Sequence, residues 1–243
     1  MFWSNKKNAL TAVEQVNLRA APEIAVSLRP SQRARRMSLR VSKLDGRVTL
    51  TIPYGASRRE ALEFAEARAD WIRGHLSDTA PTLCPSIGDS IPYLGRLHPI
   101  VAAPVRAPRI VDAQILVPSS DPARTAARLE AFLKRAARDQ LAQASDKYAA
   151  QVNRSFGRLT LRDTRSRWGS CSSEGNLMYS WRLILAPAEV LDYVAAHEVA
   201  HLVHMDHSPA FWSQVNAIYP GYEAPRKWLR DHGTQLHRYR FRE

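Results

Sequence analysis

The sequence predicts an α+β protein, with a β-rich amino-terminal half and a mainly helical half in which one helix lies beside a small antiparallel sheet. Three observations predict it. Between Glu23 and Ile52, apolar and polar residues alternate with the period of two that half-buried strands require. From Asp121 onward, apolar residues recur instead at intervals of three and four, the spacing of one helix face. Within that second pattern, Leu191 to His207 carries four histidines and three acidic residues in a short space, among them His197-Glu198-Val199-Ala200-His201.

Residues 1–20 show no clear period and read as a mobile tail. Residues 21–118 form the β-rich region with one helix. Ile24–Leu28, Met37–Val41 and Val48–Ile52 are strands by alternation, and Asp45-Gly46 turns the last two into a hairpin, so an antiparallel sheet is expected. Ser57-Arg58-Arg59-Glu60 is a capping box, and it opens a helix with Leu62, Ala65, Ala69, Ile72 and Leu76 on its apolar stripe, ending near Asp78. Ile91–Val101 and Ile110–Val117 read as two further strands.

The second region spans residues 121–243. Asp121-Pro122 starts a long helix to about Val152, expected to hinge the two halves. Leu159–Leu161 and Met178–Leu185 read as strands on either side of Arg165–Gly175. Pro187 suits the first turn of the next helix, whose Val190, Leu191, Val194 and Ala195 lead into the histidines. Ser208-Pro209 caps a short helix to Ile218, and a last helix runs from Ala224 to about His237.

The chain holds 35 basic against 23 acidic residues, a net charge of +12, while its apolar (45%) and charged (24%) fractions are those of a globular protein. The excess of arginine favours acidic partners, nucleic acid or nucleotides among them. Arg29, Arg33, Arg35, Arg36 and Arg40 form its densest cluster, yet no aromatic residues are interleaved for base stacking. Two cysteines, Cys84 and Cys171, cannot build a disulfide framework, and the amino-terminal residues lack the apolar core of a signal peptide. No run approaches the ~20 apolar residues that span a bilayer. A cytoplasmic location without a membrane span is the expectation.

Histidines four apart on a helix stand one turn above each other, so His197 and His201 can reach one metal ion. Glu198 lies to the side, where a carboxylate can take a proton from water instead of ligating the metal. A catalytic zinc takes three protein ligands. His207, Glu223 and His204 are the candidates for the third. His204 lies seven residues past His197, a rise of about 10 Å on a continuous helix, which sets it last. Glu223 sits in Pro220–Pro225, read as a loop. His207 comes just before the Ser208-Pro209 cap, so the chain must bend between His201 and Ser208 and can return His207 to the metal. The spacing is similar to that of the metzincins, but the glycine expected midway is His204 and no methionine follows Met205 to make their turn.

Arg167-Trp168-Gly169-Ser170-Cys171-Ser172, Ser180-Trp181-Arg182-Leu183-Ile184, Tyr193-Val194, the His197–His201 segment and His207-Ser208-Pro209-Ala210-Phe211-Trp212 together resemble the YgjP-like metallopeptidases, which group with the SprT-like zinc peptidases. The resemblance covers about Leu159 to Trp228 and extends weakly back to about Arg33. Ser180 departs from it, since asparagine is expected there. The resemblance implies a zincin-like catalytic half and one Zn²⁺ per chain on His197, His201 and His207. It also implies Glu198 as general base and a peptide or protein substrate. It places Arg165, Arg167 and Trp168 near the cleft, with one of these arginines or His204 holding the oxyanion. A buried thiol is expected of Cys171. Two alternatives keep the metal: a nucleoside triphosphate hydrolase, and a DNA-associated protease drawing on the basic surface.

Overall fold

The structure is a computed structural model describing residues 10–42, 46–77 and 82–241. The chain forms two compact units, one reaching residue 81 and the other beginning at Thr82.

In the first unit, β1 (Glu14–Asn17), β2 (Ala25–Ser31), β3 (Ser38–Val41) and β4 (Val48–Pro53) make one sheet in the order β1-β2-β4-β3. The expected antiparallel sheet is corrected here to a mixed one. The β3–β4 and β1–β2 pairs are antiparallel, but β2 runs parallel to β4. Alternation of buried and outward residues is the same in either direction, so it cannot tell parallel from antiparallel pairing. Of the expected tail, residues 1–9 lie outside the described residues, and Glu14–Asn17 is a paired strand followed by the buried Leu18. Asp45 of the expected hairpin turn also lies outside them; Gly46, at φ 65°, donates its N–H to the Ser42 carbonyl.

The predicted helix is two helices, α1 (Arg58–Glu66) and α2 (Ala69–Ser77), broken at Ala67-Arg68. Ser57 Oγ caps the first by accepting from the Glu60 N–H. Ala61, Ala65, Ala69 and Ile72 close over Val26, Leu28, Val48, Leu50 and Ile52 to form a core of apolar side chains only. Arg29, Arg33, Arg35, Arg36 and Arg40 are all exposed.

The two compact units divide near residue 81. The reason is packing: Ile91, Ile100, Ile115 and Val117 share a core with the long helix α3 (Thr125–Gln151) through its Leu129, Leu133, Ala137 and Leu141. Each of the two strands expected before α3 is a hairpin, β5 (Ser90–Tyr93) with β6 (Arg96–Ala103) and β7 (Arg109–Val111) with β8 (Gln114–Pro118). Leu94-Gly95 and Asp112-Ala113 turn them with positive φ at both positions, a backbone that neither Leu94 nor Ala113 advertises.

Next come β9 (Leu159–Arg162), β10 (Gly169–Cys171) and β11 (Leu177–Ser180), in the order β10-β11-β9. This sheet too is mixed: β10 is antiparallel to β11, and β9 parallel. Trp181–Leu185, expected to prolong a strand, is a fully buried 3₁₀ turn. It leads into α4 (Ala188–Ala200), followed by α5 (Pro209–Ile218) and α6 (Glu223–His232). A 3₁₀ turn over Gly233–Arg238 replaces the end of the last predicted helix. Gly95 meets the start of α4 so closely that a Cβ there would stand 2.8 Å from Pro187 Cα. No helix among the described residues is long and apolar enough to cross a membrane.

Candidate metal centre

α4 is buried almost all round, as a helix enclosed by α3, β10, α5 and α6 must be. It ends at His201, and the turn that follows brings His207 back to it. His197, His201 and His207 each present a ring nitrogen to a common point, the three atoms lying within 4.8 Å of one another. His197 Nε2 and His207 Nε2 are 3.1 Å apart. His201 Nδ1 is 2.9 Å from the His204 carbonyl. A carbonyl only accepts, so Nδ1 carries the proton and Nε2 keeps its lone pair for a ligand. Of the three candidates for the third position, the structure thus gathers His207. His204 serves through its backbone, and Glu223 opens α6 instead of lying in a loop.

Phe211 forms the floor. Its ring centroid lies 5.0, 4.4 and 4.8 Å from those of His197, His201 and His207, and its side chain is fully buried. The Ser208 hydroxyl fixes the start of α5 by accepting from the Phe211 N–H. Burial, aided by the neighbouring imidazoles and Arg226, pushes the His197 pKa down to about 3. Burial lowers that of His201 as well, against the pull of its bond to His204. Both rings are therefore neutral at pH 7, the form that binds a metal.

Glu198 is only 5% exposed and makes no hydrogen bond to the described residues. Burial lifts its pKa to about 8, with the positive charge of Arg167 acting the other way. β10 passes directly over it: a Cβ on Gly169 would stand 2.5 Å from Glu198 Oε1 and 2.6 Å from Cγ. Only glycine leaves the carboxylate that space. Cys171, on the same strand, is half-buried where a buried thiol was expected, and its thiol is pushed up to about 11 by burial and by Glu198.

The cleft residues divide. Arg167 is exposed, with its charge reaching Glu198. Trp168 packs against His237 at 5.1 Å between ring centroids and closely against Gly233, so its visible role is to hold the Arg165–Gly169 loop. Arg165 is exposed, and its charge is felt at the half-buried His237. Sequence reasoning missed Gly169 as the neighbour of Glu198, Phe211 as the common floor, and an aromatic wall of Tyr193, Tyr222 and Trp212. Trp212 lies 5.7 Å from His197 and 5.8 Å from His207. Only the aromatic content of Tyr193 and Phe211-Trp212 near the motif signalled any of this.

Three imidazoles around one point, two of them held neutral, are a donor set that fits a divalent transition metal. Among solved structures, the metallopeptidase zymogen abylysin of Pyrococcus abyssi is similar at 24% sequence identity and a TM-score of 0.34, over 42% of this chain and 97% of that one. No curated protein matches the chain. The family model described as the YgjP-like metallopeptidase domain matches residues 35–232. The match spans both compact units and every residue of the centre, and the chain belongs to the YgjP-like metallopeptidase family.

Proposed function

We propose that the chain is a zinc-dependent peptidase in which His197, His201 and His207 hold the metal and Glu198 is the general base. The observation that carries this reading is the pairing of the imidazole cluster with a buried, unbonded carboxylate one residue along the same helix. A buried carboxyl without partners costs stability, so a structural role alone does not account for it. His197, His201 and His207 would hold Zn²⁺, which when bound would supply Lewis acidity, making water acidic enough to ionise at about pH 7 and polarising a carbonyl.

The remaining steps belong to the chain's own groups. Glu198 accepts the proton of the attacking water and returns it to the leaving nitrogen. Burial raises its proton affinity and Arg167 lowers it, which leaves a carboxyl able to exchange a proton near neutral pH. Gly169 keeps that carboxylate in place. β10 stands at the edge of its sheet beside α4, where its main chain can pair with an extended substrate. Arg167 is the side chain best placed to meet the developing oxyanion. We assign Trp168 and Arg165 to holding the loop, and His204 to orienting His201. The family match carries a peptidase and no nucleic-acid or nucleotide partner.

The test is Glu198→Gln. It should keep the zinc of the wild type and lose cleavage of an unfolded protein by about 10²–10⁴-fold, the contribution of a general base. Full activity in that variant would remove Glu198 from the mechanism. Phosphate release from nucleoside triphosphates by the zinc form would instead favour the nucleotide hydrolase.

A further inference from the structure

The α5–α6 side of the centre is built from rings. Tyr193, whose ring is 5.9 Å from that of His197, stacks on Tyr222 at 6.4 Å, and Tyr222 stacks on Trp212 at 5.3 Å. Over the Trp212 ring lies the guanidinium of Arg226, its carbon 4.3 Å from the ring centroid. Arg226 is exposed and makes no ion pair with any described carboxylate. Glu223, three residues before it on α6, is the neighbour that a helical arginine would be expected to pair with. The guanidinium lies on the indole instead. Stacking fixes the plane of the group and leaves its N–H fork open at the edges, the geometry that accepts a carboxylate in two parallel hydrogen bonds.

The charge lies close to the centre, since the Trp212 ring beneath it is 5.7 Å from that of His197 and 5.8 Å from that of His207. Arg167, also exposed and without an acidic partner among the described residues, adds a second positive charge near Glu198. Asp206, which caps α5 by accepting from the Ser208 N–H at 3.2 Å, is a carboxylate whose charge is felt at His201, whereas the Trp212–Arg226 stack lies beside His197 and His207. The aromatic side of the centre thus carries one cation, oriented by the Trp212 platform.

We propose that Arg226, seated on Trp212, selects substrates that carry a carboxylate close to the scissile bond. The carboxylate is either an acidic side chain or a free carboxyl terminus. The inference rests on the peptidase reading for its site and adds the class of substrate. Arg226 would touch the substrate, so it is a specificity residue, separate from the proton-transfer machinery.

The experiment uses the full zinc-loaded chain and fluorogenic peptides in which one Glu or Gln is walked through three positions on each side of the cleaved bond. A second pair of peptides differs only in a free or amidated carboxyl terminus. Cleavage by wild type, Arg226→Gln and Arg226→Lys is measured, and peptide binding is measured separately on zinc-loaded Glu198→Gln with and without Arg226→Gln. The wild type should prefer the acidic peptide about tenfold in kcat/KM, as one charge-assisted pair at an exposed site supplies. The preference should fall as salt rises. Arg226→Gln should abolish it with zinc content unchanged, and Arg226→Lys should keep part of it. The Glu series and the terminal pair tell the two carboxylate sources apart. Cleavage with no preference, or with a preference that survives in Arg226→Gln, overturns the proposal and leaves the peptidase standing. Arg226-dependent binding of acidic peptides without any cleavage does the reverse.

Discussion

The two compact units solve the same packing problem with different materials. In the first, a four-stranded sheet and two helices enclose a core with no buried polar side chain; every buried polar or charged residue among those described lies in the second. Three of these are paired with other side chains within the fold. Ser145 shares a hydrogen bond with Tyr179 at 3.0 Å, and Lys134 pairs with Glu130 at 2.6 Å. Arg182 holds Asp163 through two bonds and donates to the Leu236 and Tyr239 carbonyls. The Thr125 and Ser180 hydroxyls are buried without a partner among the described residues, and Glu198 is the one carboxylate among them that is buried with neither a hydrogen bond nor an ion pair. The difference teaches that buried polarity marks the second unit, while an unpartnered buried carboxylate beside three gathered imidazoles marks the site within it.

The comparison predicts unequal responses to mutation. Arg182→Met should cost most in stability, about 3 kcal/mol by urea denaturation. It leaves two carbonyls and Asp163 without their donor, and the half-exposure of Asp163 holds the loss at the low end for a broken buried pair.

His237, under Trp168, comes next. Burial, with Arg182 beside it, lowers its pKa from 6.5 to about 4. Its folded pKa is depressed, so the stability of the neutral ring is fully present above pH 6.5 and is lost as the pH falls towards 4. His237→Phe should remove that acid-side slope, worth on the order of 2 kcal/mol, in unfolding curves between pH 7 and 4. An unchanged slope would contradict the half-buried neutral ring.

Gly169→Ala should cost about 1–3 kcal/mol in stability as an overpacked contact and lower peptide cleavage by displacing Glu198, with zinc content unchanged. Glu198→Asp shortens the carboxylate, so Gly169→Ala should lose less activity in that background than alone. Equal losses in the two backgrounds would break the link between β10 and the carboxylate. In the first unit, Arg58→Ala removes a well-formed but exposed pair with Glu14, 2.6 Å apart, and should cost less than about 1 kcal/mol. A larger loss would make the contrast between the units untrue.

How much was legible in the sequence follows the same line. The His197–His201 helix, the bend before Ser208, the short helix after it and the long α3 could be read because each depends on spacing along one segment. Strand direction could not, since β2 against β4 and β9 against β11 are decided by which partner lies nearby in space. The two-residue turns at Leu94-Gly95 and Asp112-Ala113 lack the usual Asn-Gly or Asp-Gly signal, so each hairpin read as one strand. Trp168 looked like a cleft residue by its position beside Arg167, and proves to be packed on Gly233 and His237, distant in sequence. Gly169 and Arg226 matter through contacts across the fold, which no local pattern records.

The central claim is that three histidines, and not Glu223, hold a zinc ion. Elemental analysis of the purified wild type beside His207→Ala and Glu223→Ala tests it most directly. The account predicts one zinc per chain in the wild type and in Glu223→Ala, and its loss from His207→Ala together with cleavage. Zinc retained by His207→Ala and lost from Glu223→Ala would contradict it.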